Sequence, residues 1–130
     1  MSARILVVED NPLNLRLVRD ILEFRGHHVD TATTVDEGRQ RLLAARPDLL
    51  LLDVQVPGGG GETLLREIRR DASLAGLPIV AVTAQAMDGD RQRLLDAGFD
   101  GYVSKPIDTR AFGPLIESFI APPMGVRHDA

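Results

Sequence analysis

The chain has no cysteine and no tryptophan, and its 130 residues include only one tyrosine and four phenylalanines. Without cysteine there is no disulfide, no zinc–thiolate site and no thiol nucleophile. So few aromatics give no platform on which nucleic-acid bases could stack. Positive charge is also scarce: 15 Lys and Arg against 19 Asp and Glu leave a net charge of -4 and a pI near 5.3, which argues against nucleic acid as a partner. No apolar run approaches the length that spans a bilayer, and the first one, residues 5–8, is too short for a signal-peptide core. A cytoplasmic protein that engages neither membrane nor nucleic acid is expected.

What the chain does have is an ordinary globular balance, 44% hydrophobic and 26% charged residues, and enough length for one core. One domain over residues 1–121 is expected. Pro122-Pro123 would end it and leave 122–130 as a disordered tail.

Three runs, Ile5-Leu6-Val7-Val8, Leu49-Leu50-Leu51-Leu52 and Ile79-Val80-Ala81-Val82, are apolar without alternation, as in strands covered on both faces of a parallel sheet. Residues 28–32 alternate and are polar, and Gly101-Tyr102-Val103 is weak; both read as edge strands. Helical segments separate the runs. Asn11 is a good N-cap with Pro12 at the first helical position, ahead of Leu17, Val18, Ile21 and Leu22 and a stop near Gly26. Thr34-x-x-Glu37 predicts a capping box and a helix ended by Pro47. Gly61, Leu64, Leu65, Ile68 and Ala72 mark the buried stripe of a third helix, and residues 88–97, closed by Gly98, form a fourth. The fifth carries Phe112, Leu115, Ile116, Phe119 and Ile120, but Gly113-Pro114 falls inside it, so the regular helix is expected to begin near Pro114 or to kink there. Five strand–helix repeats predict an α/β fold: a flavodoxin-like, doubly wound, five-stranded parallel sheet in the order 2-1-3-4-5.

The informative polar residues all lie at carboxyl ends of predicted strands: Glu9 and Asp10 after the first, Asp53 after the third, Thr83 after the fourth, Lys105 after the fifth. In a parallel sheet these ends share one edge. Three carboxylates brought together there repel unless a cation intervenes, and a set of hard oxygens with no Cys or His suits Mg²⁺, or Mn²⁺ in its place. Mg²⁺ takes few carboxylates and completes its shell with phosphate oxygens, so the edge reads as a phosphoryl site. Asp53 would be the nucleophile, needing no base. The Lys105 ammonium and the Thr83 hydroxyl would neutralise phosphoryl oxygens. The glycines at 58–61 lack the Gly-Lys-Ser/Thr of a phosphate-binding loop and read as a flexible loop, and His27-His28 lies at the wrong end of its strand for a metal site here.

The motifs Val8-Glu9-Asp10-Asn11, Leu51-Leu52-Asp53-x-x-x-Pro57-x-x-x-Gly61, Val82-Thr83-Ala84 and Ser104-Lys105-Pro106 resemble the receiver-domain signatures of two-component response regulators, CheY-like proteins, over residues 4 to about 120. The stretches 82–90 and 102–107 are similar to DivK-like single-domain regulators and to receivers of hybrid histidine kinases. The resemblance implies a phosphoryl group taken by Asp53 from a partner phosphohistidine, on a histidine kinase or histidine phosphotransfer protein. It implies Mg²⁺ on Asp10, Asp53 and the Gln55 backbone carbonyl, with Glu9 reaching it through water. Thr83 and Tyr102 would be the switch, the bond before Pro106 would be cis, and Gln55 and Gln85 would tune dephosphorylation. Where the family often has Met this chain has Val56, and the glycines at 58–60 are expected to loosen the loop beside Asp53. A downstream regulatory protein, a monomer or weak dimer and no DNA-binding output are further expectations. The chain would then be no enzyme beyond its own Mg²⁺-dependent phosphorylation and dephosphorylation. The rival readings are a Mg²⁺-dependent phosphohydrolase, which would usually carry a second acid where this chain has Gln55, and a receiver that binds partners without phosphorylation.

Overall fold

A computed structural model describes residues 2–84 and 88–120. Gln85 and the expected tail at 122–130 lie outside the described residues. Five parallel strands, β1 (Arg4–Val8), β2 (His28–Ala32), β3 (Leu49–Asp53), β4 (Ile79–Thr83) and β5 (Gly101–Ser104), stand in the order β2-β1-β3-β4-β5, as the alternating pattern predicts. Helices α1 (Pro12–Phe24), α2 (Val35–Ala44), α3 (Gly61–Arg70), α4 (Asp88–Ala97) and α5 (Phe112–Ser118) connect and flank them.

Successive side chains of a strand point to opposite faces, so an unbroken apolar run feeds two cores. Leu50 and Leu52 pack with Val35, Leu64, Leu65 and Leu94 of α2, α3 and α4, whereas Leu49 and Leu51 pack with Val18, Leu22, Phe112 and Ile116 of α1 and α5. All four leucines are fully buried. This places β3, and with it Asp53, at the centre of the molecule.

Local chemistry sets the helix limits. Asn11 Oδ1 accepts from the N–H groups of Leu13 and Asn14, both at 3.0 Å, and Pro12 opens α1. Thr34 caps α2 by accepting from Glu37 N at 3.1 Å, but the returning bond of the expected capping box goes one residue further out, from Thr33 N to Glu37 Oε1 at 2.7 Å. The third helix stops before Ala72. Asp71 caps a short 3₁₀ turn, Ala72–Leu74, by accepting from Ser73 N; Ala72 is exposed and Leu74 takes the buried place assigned to it from periodicity.

The fifth helix begins near Pro114, the first of the two alternatives expected for it. It begins at Phe112, two residues ahead of Pro114. Pro114 therefore sits in the first turn, where its missing N–H has no helical acceptor to lose, and Gly113 has no Cβ to clash with the proline ring. Gly113 also makes room: a Cβ there would lie 2.3 Å from Arg25 Cδ. Arg25 crosses α5 at this point to form two 2.8 Å bonds with the Glu117 carboxylate. His27 accepts from Ala3 N through Nδ1 at 3.0 Å, so its Nε2–H donates to Glu117 at 2.7 Å. The buried histidine is structural, tying β1 and β2 to α5.

Arg25, with His27 assisting against the cost of burial, holds the Glu117 carboxyl down at about 2, against its ordinary 4.5. Because the folded value is the lower one, the stabilisation is complete above about pH 4.5 and is lost as the pH falls towards 2. Glu117→Gln is expected to cost about 1–2 kcal/mol at pH 7. Urea denaturation at pH 7 and pH 2.5 checks this: the gap between the two proteins narrows in acid, and an equal gap at both pH values contradicts it.

Candidate functional site

Strand register builds the site as a staircase. β1 and β3 pair Val8 with Leu52, which sets Glu9 beside Asp53. β3 and β4 pair Asp53 with Val82, which puts Thr83 one step further along the edge. β4 and β5 pair Thr83 with Ser104, so Lys105 comes next, its N–H donating to Thr83 O at 2.9 Å. Four segments far apart in sequence thus deliver their polar residues to one edge. Asp53 and Thr83 are the last residues of their strands rather than the first beyond them.

The Lys105 ammonium bridges two carboxylates, 2.9 Å from Asp53 Oδ2 and 3.0 Å from Glu9 Oε1. Glu9 and Asp53 are buried, 3% and 4% exposed, whereas Asp10 is open to solvent. The remaining lone pairs are used locally: Asp53 Oδ1 accepts from Gln55 N at 2.9 Å and Glu9 Oε2 from Asn11 N at 3.1 Å. Burial raises the Glu9 carboxyl, and its hydrogen bond to Asp53 raises it further. Burial also pushes Asp53 upward, but bonds from Glu9, the Gln55 N–H and Lys105 outweigh it and leave Asp53 below the usual carboxylate range. Bonds to both carboxylates raise the Lys105 ammonium against the desolvation that opposes it. The Lys105 bridge thus favours the ionised form of Asp53 and the charged form of the lysine.

Oxygens of Glu9, Asp10 and Asp53 lie within 4.8 Å of one another, one carboxylate exposed and two buried. Carboxylate oxygens alone, with room on the solvent side, fit Mg²⁺ or Mn²⁺ and no softer ion. The peptide bond between Lys105 and Pro106 is cis, as expected.

The β3–α3 loop brings the start of α3 against Asp53. Gly58, Gly59 and Gly60 all have positive φ, from 84° to 109°, which L side chains rarely adopt, and a Cβ on Gly61 would lie 2.6 Å from the Asp53 carbonyl. The loop is also tied down: Val35 N donates to Pro57 O, Gly61 N to Val54 O and Thr63 Oγ1 to Gly59 O. The glycines thus serve this tight path, a reason that composition alone does not reveal.

Tyr102 stands apart from the carboxylates. It is half-buried on β5, packed on the core of the α2–α3–α4 face, with the Arg91 guanidinium 5.8 Å from its ring centroid. Sequence reasoning missed Arg91, since nothing in a solvent-facing arginine signals a ring partner eleven residues on. It also missed Arg69, which donates to Gly98 O, Leu77 O and Asp100 and so fastens α3 to the end of α4 and the start of β4.

A flavodoxin-like sheet with an acidic cluster and one lysine at its carboxyl edge defines a CheY-like α/β receiver. Residues 5–116 match the model of the response regulator receiver domain, and the chain belongs to that family, the receivers of two-component signal transduction. It is 36% identical over 120 residues to the polar-differentiation response regulator DivK of Brucella anthropi, covering 92% of this chain and 98% of that protein. Among solved structures it is similar to the receiver domain of the sensor histidine kinase PA1611 from Pseudomonas aeruginosa, which holds a magnesium ion in its active site cleft. The TM-score is 0.82 at 30% identity, over 92% of this chain and 98% of that one. A CheY-like receiver domain protein from Methanospirillum hungatei gives a TM-score of 0.80 at 30% identity, over 91% and 93%. Among the described residues no helix is long and apolar enough to cross a membrane.

Proposed function

We propose that this receiver is a phosphorylation switch in which Asp53 accepts a phosphoryl group from a phosphohistidine on a histidine kinase or histidine phosphotransfer protein. The observation that carries the proposal is the Lys105 ammonium held between Asp53 and Glu9, with Asp10 completing the acidic cluster. A carboxylate oxygen of Asp53 attacks phosphorus, the phosphorus–nitrogen bond breaks, and the departing imidazole nitrogen takes a proton from solvent. Lys105, released from Asp53, follows the charge onto a phosphoryl oxygen, and the Thr83 hydroxyl takes another.

Asp10, Asp53 and the Gln55 backbone carbonyl would hold Mg²⁺, or Mn²⁺, with Glu9 acting through water. When bound, the ion neutralises charge on the phosphoryl oxygens. Thr83 and Tyr102 then form the bistable element that reports the state of Asp53 to α4, β5 and α5, where a downstream regulatory protein reads it. Gln55 and Gln85 tune autodephosphorylation. The working unit is residues 1–121, acting in the cytoplasm as a monomer or weak dimer.

Asp10→Asn tests the metal reading. Removing one exposed carboxylate leaves the Lys105 bridge intact and is expected to weaken Mg²⁺ binding at least about tenfold by calorimetry. An unchanged affinity would place the ion elsewhere.

A further inference from the structure

We infer that Arg91 is a positioning residue that holds the half-buried Tyr102 ring where it lines a surface cleft and so sets how readily the Asp53 site switches, an inference that rests on the switch reading of Thr83 and Tyr102 above. The face of the sheet is the starting point. Ile79 and Ala81 of β4 pack on the α2–α3–α4 side, so strand alternation directs Thr83 to the same side. Tyr102 pairs with Ala81 and packs on that core too. Tyr102 and Thr83 are therefore neighbours on the face that α4 covers.

α4 is lightly held there. Leu94 is its one buried side chain among the described residues; Arg69 holds the backbone at its end through Gly98, and two arginines tie its start. Arg93 pairs with Glu62 at the start of α3 and with Asp90. Arg91 is exposed and has no ion pair among the described residues; its guanidinium lies over the Tyr102 ring at 5.8 Å, inside the range of a cation–π attraction. The ring and Arg91 together wall a cleft of about 330 Å³ that continues over Pro106, Phe112 and Leu115 between α4, β5 and α5.

Here the half-buried ring lines that cleft beneath Arg91; a contact made only in this outer position weights the equilibrium towards it, and a ligand that favours an inward ring must overcome it. An exposed cation–π pair is worth about a two- to fivefold change in such an equilibrium. Where the inward state is the minor one, its population and the apparent affinity of the phosphoryl site both rise by that factor when the contact is removed. Arg91 thus acts on the site only through Tyr102.

The chain supplies its own reporter, because Tyr102 is its only tyrosine and there is no tryptophan. Intrinsic tyrosine emission is followed while wild type, Arg91→Ala and Arg91→Lys are titrated with fluoroberyllate in saturating Mg²⁺. Arg91→Ala is expected to bind about two- to fivefold more tightly, to begin nearer the bound-state emission and to reach the same end point. Arg91→Lys, which keeps a cation over the ring, is expected to lie closer to wild type. Wild-type affinity and emission in Arg91→Ala, beside a wild type whose emission responds to fluoroberyllate, overturns the role of Arg91. A wild type whose emission ignores fluoroberyllate that fluorine NMR shows to be bound overturns the switch reading, and this inference with it.

Discussion

Lys105→Ala is expected to slow the phosphorylation of Asp53 by a small acyl phosphate about 10²–10³-fold while the protein remains folded. Lys105 is the one cation within hydrogen-bond distance of Asp53 among the described residues, at 2.9 Å, and it is positioned before any substrate arrives. A preorganised charge of this kind stabilises developing negative charge without reorganisation, which is why losing one such donor costs orders of magnitude. The same variant has a second signature. Lys105 bonds both carboxylates, so without it Glu9 and Asp53, both buried, face each other with no cation between them among the described residues. Mg²⁺ is then expected to raise the melting temperature of Lys105→Ala more than that of wild type. A phosphorylation rate within a few-fold of wild type, read by intact-protein mass spectrometry over time, would mean that the ammonium serves only to neutralise the metal-free site.

Most of the fold was legible because it depends on burial. The leucine run at 49–52 cannot alternate with solvent, and only a parallel sheet covered on both faces accommodates it. The caps at Asn11 and Thr34 are local chemistry and fell where their side chains predict. Periodicity was less informative where a local cap or a distant partner decides. Periodicity carried the third helix to Ala72, but Asp71 caps a new turn instead. The helix start near Pro114 was anticipated, but not that Arg25, far earlier in the chain, occupies the space that Gly113 leaves.

The candidate site was legible for a related reason. Five polar residues at strand ends need only the strand order to be brought together, and the order followed from which runs were apolar. The Lys105 bridge to Glu9 was not expressed in that reasoning, which aimed the lysine at a phosphoryl oxygen alone. Nor could sequence distinguish loose glycines at 58–60 from glycines in a fixed positive-φ path, because composition carries no dihedral angles. The contact of Arg91 with Tyr102 depends on how α4 lies over β5, and no local pattern encodes it.

The switch turns on Asp53. Asp53→Asn keeps the size of the side chain and an oxygen to accept the Gln55 N–H, so the strand end and its turn are expected to persist. An amide is no nucleophile towards phosphorus and carries no charge to pair with Lys105, so phosphorylation is expected to be abolished rather than slowed. The direct measurement is to treat wild type and Asp53→Asn with acyl phosphate and Mg²⁺, weigh the intact proteins, and locate the label by peptide mapping. The expected result is one phosphoryl group on the wild-type peptide that contains Asp53 and none on the variant. Equal labelling of Asp53→Asn, or a wild-type label mapped to Glu9 or Asp10, would contradict the account.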